Sequence, residues 1–164
     1  MIELIVLDVD GCLTDGKIIY SNSGEESKNF SVKDGLGIRS WLDLGHKAVI
    51  ITGRQSQLVE KRANELRISQ LHQGIKDKKS LLEQIVKEYG LHARNVAAIG
   101  DDLNDYGMLE YVGLSFTPQD GSQHIKKIVK HVCKAKGGEG AVREMIEKLF
   151  VVNDEVDDYL ALWH

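Results

Sequence analysis

The first sixteen residues constrain the chain most. Ile2-Glu3-Leu4-Ile5-Val6-Leu7 is an apolar, β-branched run, and it ends in Asp8-Val9-Asp10-Gly11-Cys12-Leu13-Thr14-Asp15-Gly16. A run of this kind, bounded by a turn, reads as a buried strand of a parallel sheet. Side chains alternate along a strand, which points Asp8 and Asp10 to the same side. Open α/β sheets bind ligands beyond the carboxyl ends of their strands. Two carboxylates delivered there, with Gly11 relieving the backbone, make a candidate nucleophile and acid/base pair around a hard cation. Two aspartates that only cap the next turn would look the same, so the rest of the chain has to decide.

The following segments repeat the strand-then-helix pattern. Lys17–Val32 holds two short β-prone pieces around Ser-Asn-Ser-Gly and reads as a hairpin, either a flap over the strand ends or an ordinary edge hairpin. Lys33-Asp34-Gly35-Leu36-Gly37 leads into a helix with Ile38, Trp41, Leu42 and Leu44 on one face, stopped by Gly45. Ala48–Ile51 is a strand that delivers Thr52-Gly53-Arg54, and a helix from about Gln55 to Arg67 follows. A short piece near Leu71 leads to Asp77, a helix cap, and Lys78. Strand Val96–Ile99 delivers Gly100-Asp101-Asp102-Leu103-Asn104-Asp105. A strand at 112–116, a helix over about Ser122–Lys130, a short strand at Val132-Cys133 and a helix burying Ala141 to Leu149 complete the pattern. The expected fold is α/β: a doubly wound, Rossmann-like parallel sheet with a small β-hairpin flap and no separate cap domain. Residues 1–150 make one domain, with the flap at about 16–32. The acidic stretch 151–164 is a tail, either mobile or docking its apolar end on a partner subunit.

Charge narrows the function classes. Twenty-one Lys and Arg against 25 Asp and Glu give a net charge of -4, which disfavours nucleic-acid and anionic-membrane binding. An anionic substrate stays possible, because a few cations with a metal make a local positive site. Cys12 and Cys133 form no metal-binding spacing and read as reduced, buried residues of a cytoplasmic protein. The chain lacks both a basic leader pattern and an 18-residue apolar run, so neither a signal peptide nor a membrane span is expected.

Four strand ends then carry polar groups: Asp8 and Asp10, Thr52 and Arg54, Lys78, and Asp101 with Asp102 and Asp105. Neighbouring parallel strands would bring all four sets to one rim, an arrangement suited to phosphoryl transfer. Asp8 is the candidate nucleophile, and Asp10 the acid/base group that protonates the leaving alcohol and later activates water. Asp8, Asp101 and the Asp10 carbonyl are the candidate Mg²⁺ ligands, while Thr52 and Lys78 can meet phosphoryl oxygens. Singly, each has a bland reading: Thr52 a cap, Lys78 a solvated helix start, Asp101 and Asp102 helix caps. Jointly and in this order, the chemical reading prevails.

The motifs LDVDGCLTDG, ITGR, the lysine of QGIKDK, and IGDDLND resemble the haloacid dehalogenase superfamily, in its capless subgroup. The resemblance implies Asp8 as nucleophile, Asp10 as general acid/base, Asp101 as a Mg²⁺ ligand, and Thr52 and Lys78 as phosphate contacts. FSVKDGLGIRSW, ITGRQSQLVEKRANEL and GGEGAVREMIEKL are similar to the family of 3-deoxy-D-manno-octulosonate 8-phosphate phosphatases. That likeness implies a phosphorylated sugar acid as substrate, a role in lipopolysaccharide sugar synthesis, and a homotetramer in which the hairpins meet and a neighbouring subunit closes the site. Lys33, Asp34, Gly35, Arg54 and the hairpin are the implied substrate contacts. Cys12 stands where the family commonly has an aliphatic residue, and the tail matches no part of its pattern. Arg54, where relatives acting on nonulosonate 9-phosphates carry glutamate, favours the eight-carbon sugar over N-acylneuraminate-type substrates. A phospho-receiver signalling module uses similar residues, but carries its acidic pair on the first strand and its phosphorylated Asp on a later one.

Overall fold

A computed structural model describes residues 1–164. Its elements in chain order are β1 (Leu4–Leu7), β2 (Ile19–Tyr20), β3 (Glu26–Ser27), α1 (Val32–Asp43), β4 (Lys47–Ile51), α2 (Gln57–Glu65), β5 (Gln70–His72), α3 (Lys78–Glu88), β6 (Val96–Ile99), α4 (Tyr106–Tyr111), β7 (Leu114–Thr117), α5 (Gln123–Lys126), β8 (His131–Val132), α6 (Ala141–Asn153) and α7 (Val156–Ala161). Six strands form one sheet in the order β5-β4-β1-β6-β7-β8, with every pairing parallel. β2 and β3 pair separately as the antiparallel hairpin.

The opening run is the central strand because its four residues are apolar on both faces. Ile5 and Leu7 sit with Ala48, Ile50, Ala97 and Ile99 in a core shared with α1, α2 and α6. Leu4 and Val6 sit with Val49, Ile51, Val96 and Ala98 in a second core under α3 and α4. The register Leu7↔Ile50 and Leu7↔Ile99 aligns the ends of β1, β4 and β6. From β1 the chain winds outward to β4 and β5, then returns to β6 on the other side of β1. That reversal opens a crevice at the strand ends, where such sheets bind ligands.

Three differences from the expected elements change the picture of the molecule most. α1 begins at Val32, because Ser31 Oγ caps it by accepting from Asp34 N at 3.4 Å. Lys33, Asp34 and Gly35 therefore form a first helical turn, not a lead-in loop. α5 stops at Lys126 rather than reaching Lys130; Lys130 N donates to Ser115 Oγ at 3.2 Å as the chain turns into β8. The tail folds back on its own domain. α6 runs through Val151–Asn153, Asp154 reverses the chain at φ 61°, and α7 follows. Tyr159 stacks on Phe150 with ring centres 4.6 Å apart, and Glu155 pairs with His46 at 2.8 Å. Leu160, Leu162 and Trp163 remain exposed. No helix is long and apolar enough to cross a membrane.

Candidate active site

Asp8 leaves β1 and the backbone winds into one wide turn over Val9–Leu13, closed by Thr14 N donating to Val9 O at 3.0 Å. Asp10 has ψ 110° and Gly11 has φ 95°, so the strand has ended. Strand alternation is therefore not what brings Asp8 and Asp10 to one side; the turn does that. Gly11 is required twice over. Its φ suits glycine, and a Cβ there would collide with the Asp101 carboxylate. Thr14 is buried and ties the turn together, its Oγ1 accepting from Gly11 N at 3.3 Å and Gly16 N at 3.2 Å.

A cleft of about 260 Å³ opens over this turn, lined by Asp8, Asp10, Thr52, Arg54, Asp101 and Asp102, with Gly16, Gly53 and Asn104 between them. β4 places Thr52, whose amide donates to His72 O at 2.9 Å while its carbonyl accepts from Ile75 N at 3.1 Å. β6 places Asp101. Behind Asp8, Lys78 extends from the first turn of α3 and is 2% exposed. Its Nζ donates to Asp8 Oδ1 at 2.7 Å and to Asp105 Oδ1 at 2.6 Å. Asp105 is fully buried and also accepts from Asp101 N at 2.9 Å and Asp102 N at 3.3 Å, fixing the loop that holds Asp101.

The electrostatics leave negative charge in surplus. Burial pushes the Asp8 carboxyl well above its usual range, with Asp105 adding to the rise and Lys78 opposing it. Asp101 is pushed up to about 7 by burial, then by Asp105 and Asp102. One ammonium thus serves three clustered carboxylates. The donor oxygens of Asp8 and Asp101 also lie within 4.8 Å of each other and of Cys12 Sγ. Hard oxygen donors carrying excess charge at an open cleft fit a divalent cation such as Mg²⁺.

The hairpin supplies residues that the sequence reading did not single out. The Lys28 side chain is enclosed, although the residue as a whole is half-buried, and its Nζ donates to Asp10 Oδ1 at 2.6 Å, with Glu26 Oε1 at 3.2 Å. Ser56 Oγ donates to Glu26 at 3.0 Å, and Arg54 donates to Tyr20 Oη at 3.2 Å. The flap therefore reaches its own chain's site. Of the expected contacts, Arg54 lies in the cleft. Lys33, Asp34 and Gly35 do not line it: the Lys33 carbonyl accepts from Arg143, Asp34 faces the start of α6, and Gly35 packs against Arg62 and Leu66.

The haloacid dehalogenase-like hydrolase family matches residues 71–146. The 3-deoxy-D-manno-octulosonate 8-phosphate phosphatase KdsC of Escherichia coli K12 is 40% identical over 157 residues, which are 96% of this chain and 84% of that protein. The crystal structure of 3-deoxy-D-manno-octulosonate 8-phosphate phosphatase from Moraxella catarrhalis, in complex with magnesium ion, phosphate ion and KDO, is similar at TM-score 0.96. It is 37% identical, covering 99% of this chain and 94% of that one. The cobalt-bound deoxy-D-mannose-octulosonate 8-phosphate phosphatase from Haemophilus influenzae is similar at TM-score 0.89 and 35% identity, over 93% and 90% of the two chains.

Proposed function

This chain belongs to the haloacid dehalogenase-like hydrolases, among the 3-deoxy-D-manno-octulosonate 8-phosphate phosphatases, and from there we infer how its own residues cleave that phosphate ester. Asp8 attacks phosphorus, forming an aspartyl-phosphate as the sugar's C8 oxygen leaves. Asp10 gives that oxygen a proton, then takes one from the water that hydrolyses the intermediate. Thr52 donates to a phosphoryl oxygen. Lys78, already on Asp8, balances charge at the nucleophile. Asp8 and Asp101, with the Asp10 carbonyl, would hold Mg²⁺, whose charge lets a carboxylate approach an anionic phosphate. Arg54 offers the sugar-acid carboxylate a bidentate partner at the cleft mouth.

The observation that carries this reading is the lysine-backed Asp8 facing the same cleft as Asp10, Thr52, Arg54 and Asp101. We place the reaction in lipopolysaccharide sugar synthesis in the cytoplasm. The assembly we propose is a homotetramer, for which the exposed Ile18, Ile19 and Tyr20 of the hairpin offer an apolar joining surface.

The test is a panel of phosphate esters with Mg²⁺. The expected result is highest kcat/KM on the eight-carbon 8-phosphate, loss of activity with chelator and recovery on adding Mg²⁺. Comparable or better turnover of an N-acylneuraminate 9-phosphate would overturn the substrate, and activity indifferent to chelator would overturn the metal site.

A further inference from the structure

Asp34 is buried, 1% exposed, yet it lies outside the cleft. Its surroundings give it another task. Gly140 stands in the capping position before α6 and has no side chain with which to cap the helix. Asp34 Oδ1 accepts from Arg143 N at 2.8 Å, the third amide of α6 and the one a capping aspartate would take. Asp34 also sits in the first turn of α1, so two positive helix ends converge on one carboxylate. The guanidinium groups of Arg62 and Arg143 add to that field. Its Oδ2 has no hydrogen-bond partner, so the side chain is fixed through Oδ1 at the start of α6, by the Arg143 amide with the Gly140 amide beside it.

What α6 holds in place is the turn that carries Asp8 and Asp10. The glycine loop before the helix is pressed onto that turn. Gly138 N donates to Cys12 O at 3.0 Å. A Cβ at Gly137 would collide with Gly11 O, and one at Gly138 with Asp15 N. Gly137 N is held in turn by Asp120 Oδ1 at 3.1 Å. The contact is backbone against backbone, so a small shift at the start of α6 passes directly to Gly11.

We propose that Asp34 is a positioning residue of the active site: it caps α6 from α1 and so holds the Gly137–Gly140 loop as a brace behind the Asp8–Asp10 turn. This rests on the phosphatase reading for its kinetic consequence, but not for its structural one. Misplacing a reacting group by about 1 Å can lower a rate by about a hundredfold. Asp34→Ala removes the cap and is expected to lower kcat by about ten- to a hundredfold with KM changed less than about threefold. Asp34→Asn keeps an oxygen for Arg143 N and is expected to restore most of kcat.

Hydrogen exchange, read on the same proteins, does not depend on turnover. Asp34→Ala should speed exchange in peptides covering 9–16 and 136–143 while leaving β1 and β6 protected. A raised KM in both variants would mean that Asp34 touches substrate and would overturn the proposal, as would unchanged exchange at 9–16. Faster exchange throughout the chain would reduce Asp34 to a general stability role, again overturning it. If the unsubstituted protein hydrolyses a different ester, kcat and KM are taken on that ester. If it hydrolyses none, the phosphatase reading fails while exchange still decides the brace.

Discussion

Two buried aspartates, Asp8 and Asp34, invite comparison because they share the features usually taken to mark a catalytic carboxylate. Both are almost fully buried and both are pushed upward in pKa, mainly by burial. Their partners differ. Around Asp8 stand Asp101 and Asp105 with a single lysine, and one side opens to a cleft. Around Asp34 stand two arginines and two helix starts, and no open side. Burial and a shifted carboxyl therefore do not assign chemistry. Surplus charge of one sign at an open face does, because it calls for a cation and a substrate. Balanced charge in a closed setting joins elements of structure.

The sharpest way to break this contrast is Asp8→Asn. It keeps the shape and removes the proposed nucleophile, and turnover should fall by more than about a thousandfold. Lys78 keeps Asp105 as partner, and the crowding of Asp8 and Asp101 is relieved. The thermal midpoint should hold or rise. Appreciable turnover by the purified variant would remove Asp8 as nucleophile. A collapsed fold would show that Asp8 serves structure as Asp34 does.

How much of this contrast was legible in the sequence depends on distance along the chain. The order of polar strand ends was readable, since each follows its own apolar run, and the parallel sheet brings them to one rim. The grounds for pairing Asp8 with Asp10 were not: strand alternation predicts the pairing, but a wide turn does the placing. Asp105 was visible as part of a motif, but its hold on Lys78, 27 residues earlier, was not. A carboxylate four residues after Asp101 and set to cap the next turn was the available signal. Lys28 reaches Asp10 only once the hairpin folds over the rim, and nothing in its local pattern says which way a hairpin leans. The family likeness implies Asp34 as a substrate contact, whereas the partner that holds it, Arg143, lies 109 residues away. The tail's composition allows a mobile segment or one docking on a partner subunit; in the structure one tyrosine on Phe150 and one glutamate on His46 anchor it to its own domain.

Lys78→Met tests the charge balance on the Asp8 side. Lys78 is buried and bonds two carboxylates. Removing one partner of a buried ion pair leaves the other uncompensated, at about 3–5 kcal/mol. Without a divalent cation the variant should unfold at markedly lower denaturant than the unsubstituted protein. Added Mg²⁺ should recover part of the loss, because a cation at Asp8 and Asp101 supplies the missing positive charge nearby. Equal stability of the two proteins in chelator would show that the cluster does not need the lysine. That would weaken the surplus-charge argument itself.

The Asp34 side is tested by pH, with a smaller expected effect. Burial lifts its carboxyl to about 6 from an ordinary 3.8, against Arg62 on α2 and Arg143 on α6, which pull it down. The buried Cys133 thiol is also near enough to feel its charge. Between those two values the folded protein holds a proton that the unfolded chain has released. Stability contributed through Asp34 is thus full below about pH 4 and falls as pH rises through about 6, by at most about 3 kcal/mol. Asp8 and Asp101 shift in the same direction, so the quantity to measure is a difference. Denaturant unfolding of the protein and of Asp34→Asn should be followed from pH 4 to 8 at fixed Mg²⁺. Asparagine does not titrate, so the stability of the variant relative to the parent should improve with rising pH and level off above 7. A constant difference would mean that the two helix ends and two arginines fully offset the burial of the charge. Asp34 would then be well served in its ionised form, and the contrast between the two sites would rest on the open cleft alone.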